Sequence, residues 1–295
     1  MKERKLLLVT VYVPLVNAVD ATSRELTTPS TISMVKRYRD ALLAEIDAVA
    51  DAAAGYEVAA VRFTGGVPLL LGGTNIADIL VRLRKRLSLA DGVEVTVETI
   101  PGKLDEHNLR LFPRIGVNRL EFRVPTLVQR EHDLLKVPGP FGQIGADNAM
   151  RRYLGPEEWG LRLSFGFEGQ TEESWDATLA KVVSMEPSTI TLGQVTEPAS
   201  ACVPETLIDR GSRVLEEAGF RSYGDSGVAG FFYFARPGHE SVFVNLRSEG
   251  VAQLGLGAGT VSLYDGIFYR NTSVVEDYVR HSADPEKVIV EVREA

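Results

Sequence analysis

Hydrophobic and polar positions follow two rhythms along this chain. β-branched runs at about Leu6–Val13, Glu57–Phe63, Val93–Glu98, Arg119–Val124, Leu161–Gly166 and Thr189–Val195 have the length and composition of strands. Between them, MVKRYRDALLAEIDAVADAAA, NIADILVRLRKRL and TEESWDATLAKVVSM carry a helical period, the last with Thr171 as its expected cap. This alternation predicts parallel strands joined by crossover helices, an α/β fold. Six such units make a partial (β/α)6 barrel, not a complete eight-fold one, over residues 1–200. After Arg236 the texture changes. FFYFARPG, SVFVNL, VAQLGLGAG, TVSLY, GIFYRN and a final KVIVEV read as short strands. Residues 201–295 are therefore expected to form a β-rich, α+β C-terminal extension that covers one side of the barrel.

The more informative signal is polarity inside the strands. In RLEFRV, Leu120, Phe122 and Val124 share one face, with Glu121 and Arg123 on the other, by the two-residue period. Arg162 and Ser164 alternate in the same way against Leu161, Leu163 and Phe165, and Thr96 and Glu98 against Val95 and Val97; Arg62 is a fourth case. Parallel strands wrapped by helices should be apolar on both faces. These carry one polar face, so the helices must pack on the apolar one, and the polar groups must line the lumen. Buried charges need partners. They either pair with each other, as Glu121–Arg162 and Glu98–Arg123, or serve a ligand. Arginines so placed suit a carboxylate or phosphate.

Composition narrows the classes. A net charge of −8 argues against a broad grip on nucleic acid or on an anionic membrane. One cysteine, Cys202, excludes an internal disulfide framework and suits a cytoplasmic protein. MKERKLLLVTVYVPLVNAVDA has the outline of a secretory signal, but Thr10, Tyr12 and Pro14 interrupt the apolar run and favour a buried first strand. His107, His132, His239 and His281 lack metal-ligand spacing and read as surface residues. FTGGVP ends the second strand, where glycines let a ligand approach the backbone. LGLGAG lacks the Lys-Ser/Thr of a phosphate loop.

The motifs taken in order resemble the oxygen-independent coproporphyrinogen III oxidase family of radical SAM proteins. That family opens with Y-V-H-I-P-F-C-x-x-x-C-x-x-C, where this chain reads TVYVPLVNAVDATS. A G-G-G-T-P motif is matched by TGGVP, Glu-x-x-Pro by ETIP, and G-V-N-R is intact from Gly116 to Arg119. G-L-P-G-Q-T is matched by GFEGQT, and a late G-x-G-A-x-S by GLGAGTVS, ending in Arg270-Asn271. The resemblance implies a radical-SAM-type barrel. It also places the three cluster cysteines at Val16, Asp20 and Ser23, none of which is a thiolate donor. No iron–sulfur cluster is expected, and with it no reductive cleavage of S-adenosylmethionine (SAM), so coproporphyrinogen oxidation by that route is not expected.

What the resemblance retains is Thr64, Gly65 and Gly66 along the SAM aminoacyl group and Glu98 on its ribose. What it loses is a tyrosine at Thr10, a glutamine at Pro125 and an aspartate at Arg162; Arg123 stands where a glycine is usual. The heme-chaperone stretch H-N-x-x-Y-W reads VNLRSE, keeping Asn245 alone. Three readings follow. The first is a biosynthetic enzyme using SAM, or another small molecule, without radicals, for alkyl transfer, elimination or cyclisation. It has Glu98 or Glu121 as base with Tyr12 nearby, and Arg62, Arg123, Arg162 and Ser164 as substrate contacts. The second is a catalytically silent partner of a genuine radical SAM enzyme, or a homodimer. The third is a tetrapyrrole-binding module.

Overall fold

The computed structural model describes residues 4–16, 27–135, 143–195, 204–225 and 230–294. The barrel half runs β1 (Lys5–Val13), two short strands β2 (Leu15–Val16) and β3 (Thr28–Pro29), α1 (Ile32–Val49), β4 (Tyr56–Gly65), α2 (Gly73–Arg86) and β5 (Ser88–Thr99). It continues through α3 (Glu106–Ile115), β6 (Arg119–Arg123), α4 (Gln129–Leu135), α5 (Ile144–Leu154), β7 (Glu158–Phe165), α6 (Glu172–Ser184) and β8 (Thr189–Gln194). There follow α7 (Pro204–Glu217), β9 (Arg221–Ser222), β10 (Phe231–Ala235), α8 (Val242–Ser248), β11 (Ala252–Leu256), β12 (Val261–Tyr264), β13 (Ile267–Asn271), α9 (Val275–His281), α10 (Pro285–Val288) and β14 (Ile289–Glu294).

The six expected barrel strands form, in order, as parallel neighbours. Their outward face is apolar: Val9, Val11, Val61, Phe63, Val95, Val97, Leu120, Phe122, Leu161 and Leu163 belong to one core with Leu42 and Ile46 of α1, Ile79 and Leu83 of α2, and Leu179 and Val182 of α6. Each of these residues is essentially out of water, the condition under which a large aliphatic side chain contributes about 1.5–3 kcal/mol. The expected cap of α6 is a full capping box, Thr171 accepting from the Ser174 amide while Ser174 accepts from Thr171 N–H.

The C-terminal part joins the barrel's own sheet. β11 pairs parallel with β1, Leu7 beside Ala252 and Val11 beside Leu256, so it is a seventh parallel strand. β12, β13 and β14 extend that side antiparallel, and β10 and β9 extend the other from β8. SVFVNL is helix α8, not the expected strand. Its first amides are capped locally and from afar: the N-cap Ser241 accepts from Val244 N–H, and Glu94, distant in the chain, accepts from Val242 and Phe243 N–H.

GLGAG turns against α1. Gly257 has φ +113°, and a Cβ there would fall 2.6 Å from the Tyr12 carbonyl oxygen, so only glycine fits. Its N–H donates to buried Glu45, and the Ala258 N–H donates to the Tyr38 hydroxyl, which in turn donates to the Tyr12 carbonyl. Glu45 also accepts from Asn271 Nδ2 and from the Tyr278 hydroxyl, both at 2.6 Å. Among the described residues no helix is long and apolar enough to cross a membrane.

Candidate functional site

The polar faces of β4 to β7 do converge inside the barrel, in three layers set by strand register. At the bottom, Glu94 and Arg119 pair at 3.2 Å. Glu94 caps α8 and also accepts from the Ser241 hydroxyl at 2.7 Å, while Arg119 donates to the carbonyls of His239 and Glu240. This layer ties the C-terminal extension to the barrel floor.

The middle layer is a charge quartet. Register places Glu98 directly beside Glu121. Two like charges in that relation repel unless they are bridged. Arg62 bridges them, reaching Glu98 at 2.6 Å and Glu121 at 2.8 Å, and Arg162 lies 3.5 Å from each. Burial pushes the Glu98 carboxyl up, but the Arg162 and Arg62 guanidinium groups, with a hydrogen bond from Thr64, hold it down at about 2. Phe243 lies under the Arg62 guanidinium at 5.8 Å and Phe231 against Arg162 at 5.2 Å, so the extension supplies aromatic faces to both cations.

The upper layer lies at the strand ends. Tyr12, Thr64, Arg123 and Ser164 are each half-buried there. Arg123 is not on Glu98, as one expected pairing had it. It sits one layer above the carboxylate, beside Arg162 in register, and donates to the Gly65 carbonyl at 3.1 Å and the Gly66 carbonyl at 2.7 Å. The α-carbons of the glycine pair are close-packed as well. A Cβ on Gly65 would lie 2.8 Å from the Val13 oxygen and 3.0 Å from the Tyr12 ring, and one on Gly66 would lie 2.9 Å from Val16 Cγ1.

Strand alternation assigned Thr96, Glu98, Glu121, Arg123, Arg162 and Ser164, with Arg62, to one lumen, and Thr64, Gly65, Gly66 and Tyr12, expected from the resemblance, lie at its upper end. The other expected pair, Glu121–Arg162, is present. Sequence reasoning missed Glu94, which shares the alternating face of Thr96 and Glu98, and the aromatic pair Phe231 and Phe243. His132 is not a surface residue: it is buried, its Nε2 2.6 Å from the Thr126 carbonyl oxygen. Val16 is buried, while Asp20, Ser23 and Cys202 lie outside the described residues. Among the described residues no group of three or more His, Cys, Asp and Glu could hold a metal ion.

Comparison with known proteins supplies the family. Residues 24–182 match the Radical SAM superfamily. The heme chaperone HemW of Synechocystis sp. is 27% identical over 235 residues, which cover 72% of this chain and 54% of that protein. The anaerobic coproporphyrinogen III oxidase 1 of Cereibacter sphaeroides is 24% identical over 279 residues, covering 85% of this chain and 60% of that one. This chain therefore spans between about half and two-thirds of these relatives' length. The structure of coproporphyrinogen III oxidase HemN from Escherichia coli superposes with a TM-score of 0.84 at 20% identity, over 99% of this chain and 72% of that one, a likeness of fold. With its motifs, its barrel and the superfamily match in agreement, the chain belongs to the radical SAM superfamily, on the HemN/HemW-like branch.

Proposed function

We propose that this chain is a cluster-free member of its family that holds a small molecule at the barrel mouth and acts on it without radicals, by group transfer, elimination or cyclisation in a biosynthetic pathway. The observation that carries the reading is Val16. At the position of the first cluster cysteine stands an apolar side chain, 6% exposed, packed on Gly66. Iron–sulfur clusters are held by thiolates, and the sequence has one cysteine in all, so the donor set does not fit a cluster. No step is routed through one.

The upper layer supports the ligand part of the reading. Tyr12, Thr64 and Ser164 offer hydroxyl groups at the strand ends, where ligands of parallel barrels sit, and Arg162 offers a guanidinium from the layer below. Glu98, ionised down to about pH 2 and held by two arginines, is a poor proton acceptor and serves to fix Arg62 and Arg162. Tyr12, nearer the mouth, is the better-placed group for proton transfer.

Anaerobic reconstitution with iron and sulfide, followed by iron and sulfide analysis and a visible spectrum, tests the reading. Colourless protein with far less than one iron per chain is the expected result; a stoichiometric cluster refutes it. A panel of small carboxylates and phosphates in a thermal-shift assay then searches for the ligand.

The second reading, a silent partner of a genuine radical SAM enzyme, draws support from a different place. Edge strand β14 exposes Val290 and Val292, 62% and 61% accessible, and nearby β12 exposes Val261. Such edges invite pairing. Co-expression with a cluster-bearing relative and pull-down decides it, since a chain that stays alone and monomeric is no partner.

A further inference from the structure

We infer that Arg123 stands where the amino group of a SAM molecule would have to go, so that this barrel is closed to the cofactor after which its superfamily is named. SAM carries an ammonium, a carboxylate, a sulfonium and a ribose diol, and is a cation overall. To seat it, the mouth of the barrel must offer carbonyl oxygens to the ammonium and a carboxylate to the diol. By family resemblance those acceptors are the glycine pair, Gly65 and Gly66, and Glu98.

Each is already engaged by a guanidinium group of this chain. Arg123 forks across two successive carbonyls, Nη1 on Gly65 O at 3.1 Å and Nη2 on Gly66 O at 2.7 Å. An ammonium brought to the same oxygens would meet a like charge and would have to displace a two-point contact with a point donor. The α-carbons of the pair are themselves close-packed, Gly65 against the Tyr12 ring and Gly66 against the Leu15 carbonyl and Val16. Glu98 is 4% exposed, and its Oε1 receives both Nε and Nη2 of Arg62, with Arg162 at 3.5 Å. A diol would have to share this carboxylate with two cations that already hold its Oε1.

The residues therefore do not fit SAM. This conclusion goes beyond the loss of the cluster: a barrel without iron could still have bound the sulfonium compound for polar chemistry, and this one is built against it. The ligand of the proposed function is then a molecule other than SAM.

Equilibrium dialysis of the full chain with radiolabelled SAM tests the inference. The wild type is expected to retain no label up to about 1 mM free SAM. Arg123→Gly uncovers the two carbonyls and should raise affinity at least about tenfold, whereas Arg123→Lys, which keeps a cation there, should stay closed. Arg123→Met removes the guanidinium while keeping a long side chain, and covers the case in which the glycine variant is unfolded by circular dichroism. Wild-type binding well below about 1 mM overturns the inference, as does a pair of folded Gly and Met variants that bind no better than the wild type. Failure of the cluster-free reading shows separately, as bound iron and sulfide.

Discussion

Glu45 allows a quantitative test of how the C-terminal extension is locked to the barrel. Its carboxylate is buried between α1, the GLGAG turn and α9, and it accepts from Gly257 N–H, Asn271 Nδ2 and the Tyr278 hydroxyl. Burial drives its pKa up from 4.5 to about 7, against the hydrogen bonds from Tyr278, Gly257 and Asn271 that favour the anion. An acid whose folded pKa is raised binds its proton more tightly in the native state. Its contribution to stability is complete below about pH 4.5 and is lost as pH rises through about 7. A rise of about 2.5, at about 1.4 kcal/mol for each tenfold change in proton affinity, makes that loss about 3 kcal/mol. The assay is guanidinium chloride unfolding of wild type and Glu45→Gln at pH steps from about 4.5 to 8. Glutamine has one acceptor oxygen for three donors, so the variant starts less stable by an offset of about 1–3 kcal/mol. The offset is not the readout. The gap should close as pH rises, because only the wild type carries the titrating group. A gap that stays constant across the range refutes the assignment of desolvation as the dominant effect on Glu45.

Two further outcomes follow from the lumen. Arg62→Met leaves Glu98 beside Glu121 with Arg162 alone to bridge them, and should cost about 3–5 kcal/mol in denaturant unfolding. Glu98 has a depressed folded pKa, so its contribution is present above about 4.5 and lost as pH falls toward about 2; removing Arg62 should move acid unfolding to higher pH, and an unmoved transition counts against the quartet. Glu94→Ala strips the amides of Val242 and Phe243 of their acceptor and Arg119 of its partner. Hydrogen exchange across residues 242–248 should speed up sharply relative to α6, and unchanged protection there removes Glu94 as the anchor.

The sequence made one class of feature legible and hid another. Alternation along a strand fixes which face a residue occupies, so Arg62, Glu98, Glu121, Arg162 and Ser164 could be assigned to the lumen from local pattern alone. Alternation does not fix height. Whether Arg123 meets Glu98 or the glycine carbonyls depends on the register of β6 against its neighbours, which comes from loops and helices elsewhere. α8 was hidden for a related reason: SVFVNL has the β-branched composition of a strand, and the acceptor that holds its N-terminus as a helix is Glu94, far away in the chain. His132 looked like a surface residue because a single histidine carries no signal of the Thr126 carbonyl it faces. The seventh parallel strand looked like part of a β-rich cover, because a short glycine-punctuated run says nothing about which strand it will lie beside.

The pairing of β11 with β1 has a consequence for how the chain acquires its shape. β1 lies in the interior of the sheet, with β4 on one side and β11, from near the opposite end of the chain, on the other. Until β11 arrives, one hydrogen-bonding edge of β1 and the turn-binding surface around Tyr38 and Glu45 stay open. A contact of such sequence separation is slow to form, and an open hydrophobic edge held for that time is a template for association with other chains. A nascent or truncated chain that stops short of β11 should therefore expose β1 as a sticky edge, and its dependence on chaperones should fall abruptly once β11 has been made.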